Sequence, residues 1–130
     1  MNSILVVDDD SDSRAILAKF FRGAGFQVRA APNGREALIA LAGAVPDVIV
    51  LDVMMPEMNG IEFLGVVRSY LRWAQLPIIV LTAYDSPDIT EAAHAHGVNS
   101  IFRKASYQLS DLLKCVHRVR EDPEATCETC

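Results

Sequence analysis

The sequence predicts an α/β fold in which a five-stranded parallel sheet is covered on both faces by five helices. Three observations predict it. Short apolar runs at residues 4–7, 48–51, 78–81 and 98–102 alternate with longer segments of helical spacing, the pattern of repeated βα units. The two central runs, "VIVL" and "IIVL", are apolar on both faces, as strands of a doubly covered parallel sheet must be. Glycine, proline and capping residues fall between the runs and not within them.

Taken in order, "ILVV" is the first strand and leads directly into Asp8, Asp9 and Asp10. Ile16, Leu17, Phe20 and Phe21 then form a helical stripe, closed by Gly23 and Gly25. "FQVRAAP" alternates Phe26, Val28 and Ala30 and reads as an edge strand. "PNG" at 32–34 opens a second helix carrying Ala37, Leu38 and Leu41. The third strand ends on Asp52, and a third helix carries Ile61, Leu64 and Leu71. After the fourth strand and Thr82, Ser86 and Pro87 match an N-cap followed by a first-turn proline. The fourth helix, over about 87–96, is alanine-rich with Ile89 as its one large apolar anchor, so light packing and mobility are expected. The fifth strand leads to Lys104, and Leu109, Leu112, Leu113, Val116 and Val119 mark the fifth helix. The expected domain spans residues 3–121, with a flexible tail at 122–130 beyond the helix.

Bulk properties exclude several classes. A chain of 130 residues that is 51% hydrophobic is one folded domain and not a disordered segment. A formal charge of -5 argues against sequence-independent binding to nucleic acid or to an anionic membrane. "MNSILVVDDD" has only four consecutive apolar residues before its aspartates, too few for a signal-peptide core, so a cytoplasmic protein is expected. Three cysteines are too few for a disulfide scaffold, and their odd number fits a reducing compartment. Cys115 sits on a helical pattern and reads as packing. Cys127 and Cys130 form a "CETC" pair, but zinc takes about four ligands and no second pair is present, so a solvated tail is favoured. His94, His96 and His117 do not form a ligand cluster.

The chemistry lies at the strand ends. In a parallel strand the C-terminal end opens onto the loops, where open α/β sheets bind ligands. Asp8 and Asp9 end the first strand and Asp52 the third; if those strands are neighbours, as in the order 2-1-3-4-5, three carboxylates converge. Such repulsion is costly unless a cation joins the group. Oxygen-only ligands, few in number, favour Mg²⁺ over Ca²⁺, and "DDDSDSRAILAK" lacks the glycine and glutamate that a calcium loop requires. Thr82 and Lys104 end the fourth and fifth strands. A hydroxyl, an ammonium and a divalent ion around one carboxylate make a cradle for phosphoryl oxygens, with Asp52 as nucleophile. Singly, each residue has an ordinary reading as a helix cap, a strand end or a surface cation. Jointly those readings are poor, because all five groups fall at one end of the sheet.

"ILVVDDD", "DVIVLDVMMPEMNG", "PIIVLTA" and "SIFRK" together resemble the receiver domain of two-component response regulators. The resemblance implies a flavodoxin-like fold that accepts a phosphoryl group at Asp52 from a histidine kinase or a histidine phosphotransfer protein. It implies Mg²⁺ held by Asp9, Asp52 and the Met54 carbonyl, with Asp8 acting through water, and phosphoryl oxygens taken by Thr82 and Lys104. It further implies a downstream protein target or output domain, a phosphorylation-dependent dimer as one assembly, and turn-shaping roles for Pro56 and Gly60. A docking face would comprise the fourth helix, fifth strand and fifth helix, where Arg103, Lys114, Arg118 and Arg120 stand; a solvated face explains those cations equally well.

The sequence departs from the family pattern in three places. Ala105 follows Lys104 where the family has proline, and because a cis bond to alanine costs about 3 kcal/mol a trans bond is expected. Ile101 occupies the family's aromatic switch position, while Phe102 faces the other side of the strand. Met54 and Tyr84 flank the path of attacking water and are bulky, which predicts slow loss of the phosphoryl group. Two other functions compete: a receiver-like binding module that works without phosphorylation, and a phosphatase of the haloacid dehalogenase type. The second wants an aspartate where Met54 stands. The chain is thus expected to be a switch and not a metabolic enzyme.

Overall fold

A computed structural model describes residues 2–53, 59–83, 87–104 and 106–127. Five strands alternate with five helices: β1 (Ser3–Val7), α1 (Ser11–Gly23), β2 (Gln27–Ala31), α2 (Gly34–Gly43), β3 (Val48–Asp52), α3 (Gly60–Ser69), β4 (Ile78–Thr82), α4 (Pro87–Ala95), β5 (Ser100–Arg103) and α5 (Leu109–Glu121). All strand pairs are parallel in the order β2-β1-β3-β4-β5. This is the doubly covered parallel sheet that the alternation predicted, in the flavodoxin-like order that the resemblance implied.

Residues of alternating parity feed two cores, one on each face. Leu5, Val7, Ile49, Leu51, Ile78 and Val80 point to one side, against Ala37 and Leu41 of α2, Phe63, Leu64 and Val67 of α3, and Ala93 of α4. Ile4, Val6, Val48, Val50, Ile79, Leu81 and Phe102 point to the other, against Leu17 and Phe21 of α1 and Leu112, Val116 and Val119 of α5. Each fully buried large aliphatic side chain contributes about 1.5–3 kcal/mol. Ile101 packs partly against the first core and Phe102 lies in the second, so the two side chains do take opposite faces of β5.

Local chemistry fixes the helix ends. The Asp10, Asn33 and Asn59 side chains accept from the backbone N–H of Asp12, Glu36 and Glu62, capping α1, α2 and α3. Gly25 and Gly97 close α1 and α4 with φ of 97° and 72°, where a side chain would be strained. Gly60 is needed for space: its N–H donates to the Val53 carbonyl at 2.8 Å, and a Cβ would overlap the Val53 backbone. That contact turns the chain from β3 into α3 immediately behind Asp52. Pro56 and Ser86 lie outside the described residues.

Four expectations need correction. Leu71 leaves the α3 stripe, because α3 ends at Ser69 and a 3-10 turn over Leu71–Trp73 leaves Leu71 96% exposed and buries Trp73. Ile16, one position before Leu17, rotates outward and is 59% exposed. The fifth strand starts at Ser100 and not at Val98: at Asn99 the side-chain Oδ1, in place of a backbone carbonyl, accepts from the Ile78 N–H of β4. Finally, Cys115 does more than pack: its sulfur is bonded to that of Cys127. The chain turns back after α5, and residues 122–127, expected as a loose tail, make specific contacts. The Asn99 amide donates to the Pro123 and Ala125 carbonyls at 2.7 and 2.8 Å, and Ser100 Oγ donates to the Cys127 carbonyl at 3.0 Å.

Candidate functional site

The register sets the site. Val7 pairs with Leu51 across β1 and β3, Asp52 with Leu81, and Thr82 with Arg103, so the residues that end these strands share one rim. Asp8 is 1% exposed, Asp52 4% and Thr82 3%, while Asp9 faces solvent. One oxygen from each of Asp8, Asp9 and Asp52 lies within 4.8 Å of the others, a grouping that among the described residues could hold a metal ion. Of the three leading aspartates, only Asp10 takes the ordinary role of helix cap.

Lys104 crosses from the end of β5 into this cluster. Its Nζ donates to Asp52 Oδ2 at 3.0 Å and to Asp8 Oδ2 at 3.1 Å, while its own backbone N–H is fixed by the Thr82 carbonyl at 2.8 Å. Burial alone would lower the ammonium pKa, but the bonds and charges of Asp52 and then Asp8 override it, and the net shift is upward. Nearby, burial raises the Tyr107 phenol; the Lys104 charge opposes that shift and the Asp8 charge adds to it.

Asp8 is held in place by groups whose role the sequence reading missed. Ser13 Oγ donates to Asp8 Oδ2 at 2.7 Å, the Asp10 N–H donates to Asp8 Oδ1 at 3.0 Å, and Arg14 Nη1 donates to the Asp8 carbonyl at 2.8 Å. The available signal was "SDSR", the polar first turn of a helix that starts at the carboxylate rim, which puts Ser13 and Arg14 beside Asp8. Asp8, Asp9, Asp52, Thr82 and Lys104 are therefore brought to one rim. Met54, Tyr84 and Ala105 lie outside the described residues, and with them the Met54 carbonyl ligand, the water-path argument and the Lys104–Ala105 bond.

The donor set fits a hard cation. All three groups offer carboxylate oxygen, and an ammonium already bridges two of them, so the pocket accepts positive charge. Two oxygens on one Mg²⁺ lie at most about 4.2 Å apart, twice the usual bond length. Carboxylate oxygens within 4.8 Å of one another are close to this span, so the three groups are placed to share one ion.

Comparison with known proteins agrees with this geometry. The family model described as the response regulator receiver domain matches residues 4–117. Regulatory protein AtoC of Escherichia coli is 43% identical over 84 residues, 65% of this chain and 18% of that protein, so the chain spans less than a fifth of that relative's length. The solved chemotaxis protein CheY4 of Vibrio cholerae superposes with a TM-score of 0.84 at 36% identity, covering 92% of this chain and 98% of the other. Response regulator TrrA of Thermotoga maritima, solved in complex with Mg²⁺ and BeF, gives 0.80 at 30% identity over 92% and 99%.

Proposed function

This chain belongs to the response regulator receiver domain family, and on that premise we propose that it takes a phosphoryl group onto Asp52 from a histidine kinase or a histidine phosphotransfer protein. The observation that carries the proposal is the Lys104 ammonium shared between Asp52 and Asp8 beside a third carboxylate. Three carboxylates and one ammonium leave such a pocket two positive charges short of neutral, and a divalent ion supplies the deficit.

In the transfer, a carboxylate oxygen of Asp52 attacks phosphorus, the P–N bond to the donor imidazole breaks, and the imidazole leaves with the bonding pair and takes up a proton. Asp52 is held at the end of a fully buried strand, so its attacking oxygen is fixed in direction before the donor arrives. Lys104 moves one hydrogen bond from the carboxylate to a phosphoryl oxygen, and the Thr82 hydroxyl donates to another, which stabilises the charge that accumulates there. Asp8, Asp9, Asp52 and the Met54 carbonyl would hold Mg²⁺, which when bound supplies charge neutralisation at the phosphoryl oxygens. TrrA, solved with Mg²⁺ and BeF, supports that assignment.

The domain then acts as a switch in the cytoplasm: the phosphoryl group biases two nearly equal conformations, and a downstream protein or output domain reads the result. Phosphorylation-dependent dimerisation is one way to read it. A second reading, a receiver-like module that docks without phosphorylation, is favoured by one observation: Ile101 lacks the aromatic ring and Phe102 is committed to the opposite core. Intact mass after treatment with acetyl phosphate and Mg²⁺ separates the two. A gain of about 80 Da, one phosphoryl group, that is lost in Asp52→Ala supports the proposal; no gain in a folded protein supports the second reading.

A further inference from the structure

The contacts of Cys115 and Cys127 lie away from the carboxylate rim and serve no step of phosphoryl transfer. Cys115 is 3% exposed on α5, Cys127 is half-buried beyond it, and their Cα atoms are 5.8 Å apart, an ordinary span for a bridged pair. Four hydrogen bonds tie the same region together. Asn99, 7% exposed, accepts from the Ile78 N–H through Oδ1 and donates to the Pro123 and Ala125 carbonyls through Nδ2. Ser100 donates to the Cys127 carbonyl. Residues 122–127 therefore return beside the start of β5, one of the two edge strands of the sheet. Beside them lies a groove of about 240 Å³, lined in part by Phe102, Arg103, Lys114, Arg118 and both cysteines.

We propose that Cys115 and Cys127 form a reversible thiol–disulfide clasp that fastens the C-terminal segment against the edge of the sheet and closes one wall of the cationic groove. Three features suit the pair to exchange, and the first is access. Cys127 is the more exposed residue of the pair, so an incoming thiolate attacks its sulfur and Cys115 departs as thiolate. The second is charge: Arg103, Lys114 and Arg118 line the same groove as Cys115 against one carboxylate, Asp111, so positive charge prevails around the departing thiolate. The third is reclosure. When the bond is open the segment loosens, and the Asn99 and Ser100 hydrogen bonds guide it back to the position in which the two thiols pair again.

The reaction balances with a dithiol of the thioredoxin class. One reductant thiolate forms a mixed disulfide with Cys127, and Cys115 takes a proton. The second reductant thiol displaces Cys127, giving two cysteine thiols and one reductant disulfide. The reverse requires a small-molecule disulfide such as oxidised glutathione. In reducing compartments, the disulfides that do form usually sense redox state, so this assignment is compatible with a cytoplasmic protein.

The test uses the full 130-residue chain equilibrated with oxidised glutathione, digested with trypsin without reduction, and compared with the same protein after dithiothreitol. Cleavage after Lys114, Arg118 and Arg120 leaves Cys115 in "CVHR" and Cys127 in "EDPEATCETC". The expected result is those two peptides joined, still joined in Cys130→Ser, with the intact protein gaining two hydrogen atoms on reduction. Deuterium uptake at residues 98–103 and 122–127 should then rise severalfold, with uptake in β1 and β3 unchanged. Cys127→Ser should show the raised uptake from the start and no response to dithiothreitol. A Cys127–Cys130 pairing, Cys115 open to iodoacetamide in the glutathione-treated protein, or uptake indifferent to reduction would each overturn the proposal.

Discussion

Replacing Lys104 by methionine keeps most of the side-chain volume and removes the one cation that the described structure places between two buried carboxylates. At an effective dielectric near 20, an ammonium about 3 Å from each of two carboxylate oxygens has a gross attraction of about 5 kcal/mol per pair. Desolvation offsets much of that. The carboxylate side chains are 1% and 5% exposed and the lysine 23%, and removing one partner from a buried pair costs about 3–5 kcal/mol. Asp8 retains its bonds from Ser13 and Asp10, so the low end applies, about 3 kcal/mol or roughly a 10 °C drop in melting temperature for a domain of this size. Urea unfolding in EDTA measures it. The folded lysine pKa is raised, so this stabilisation is complete below the ordinary lysine range, near pH 10.4, and is lost as pH climbs through the higher folded value. The gap between wild type and Lys104→Met should therefore be full at neutral pH and close in strong alkali. Millimolar Mg²⁺ should narrow it at neutral pH, because the divalent ion replaces the missing charge. A variant within about 0.5 kcal/mol of wild type in EDTA, the scale of an ordinary surface substitution, would show that the ammonium does not balance the cluster.

Gly60→Ala should destabilise by about 1–3 kcal/mol, the usual cost of overpacking, since its methyl group meets the Val53 backbone; thermal melts read this directly. Arg68→Met should cost about 2–3 kcal/mol, because bonds from a charged donor contribute more than neutral ones and its guanidinium donates to the carbonyls of Trp73, Leu76, His96 and Gly97. Arg68→Lys should fail to restore it in urea titration, as one ammonium cannot span four carbonyls. Tyr107 holds its proton in the folded state beyond the ordinary tyrosine range because of burial, so its contribution to stability is intact below that range and lost as pH rises through the folded value. Tyr107→Phe should delete the tyrosinate absorbance that this phenol contributes above the ordinary tyrosine range in an absorbance titration.

The sheet was legible because both its signals are local: a strand buried on two faces must be apolar throughout, and its polar terminus then marks the rim. Asp8, Asp9, Asp52, Thr82 and Lys104 could be named on that basis. Their supports could not. Ser13 and Arg14 read as ordinary first-turn residues until the helix axis is known to pass the rim, and Arg68 reads as a surface cation until the turn after α3 brings four carbonyls around it. Leu71 and Ile16 were misjudged because helical periodicity does not say where a helix stops or how wide its buried stripe is. The Cys115–Cys127 contact depends on a chain reversal after α5 that no spacing rule encodes.

Arg68 has a mechanical consequence for α4. Its Nε and Nη2 hold the His96 and Gly97 carbonyls at 2.8 and 3.2 Å, just past the helix C-terminus, while along the helix only Ala93 is buried. The helix is thus pinned at one extremity, as a needle is on a dial. Nine residues at about 1.5 Å each give a lever of roughly 13 Å, so swinging it by ten degrees about that pin carries its proline end by about 2 Å while the far end scarcely stirs.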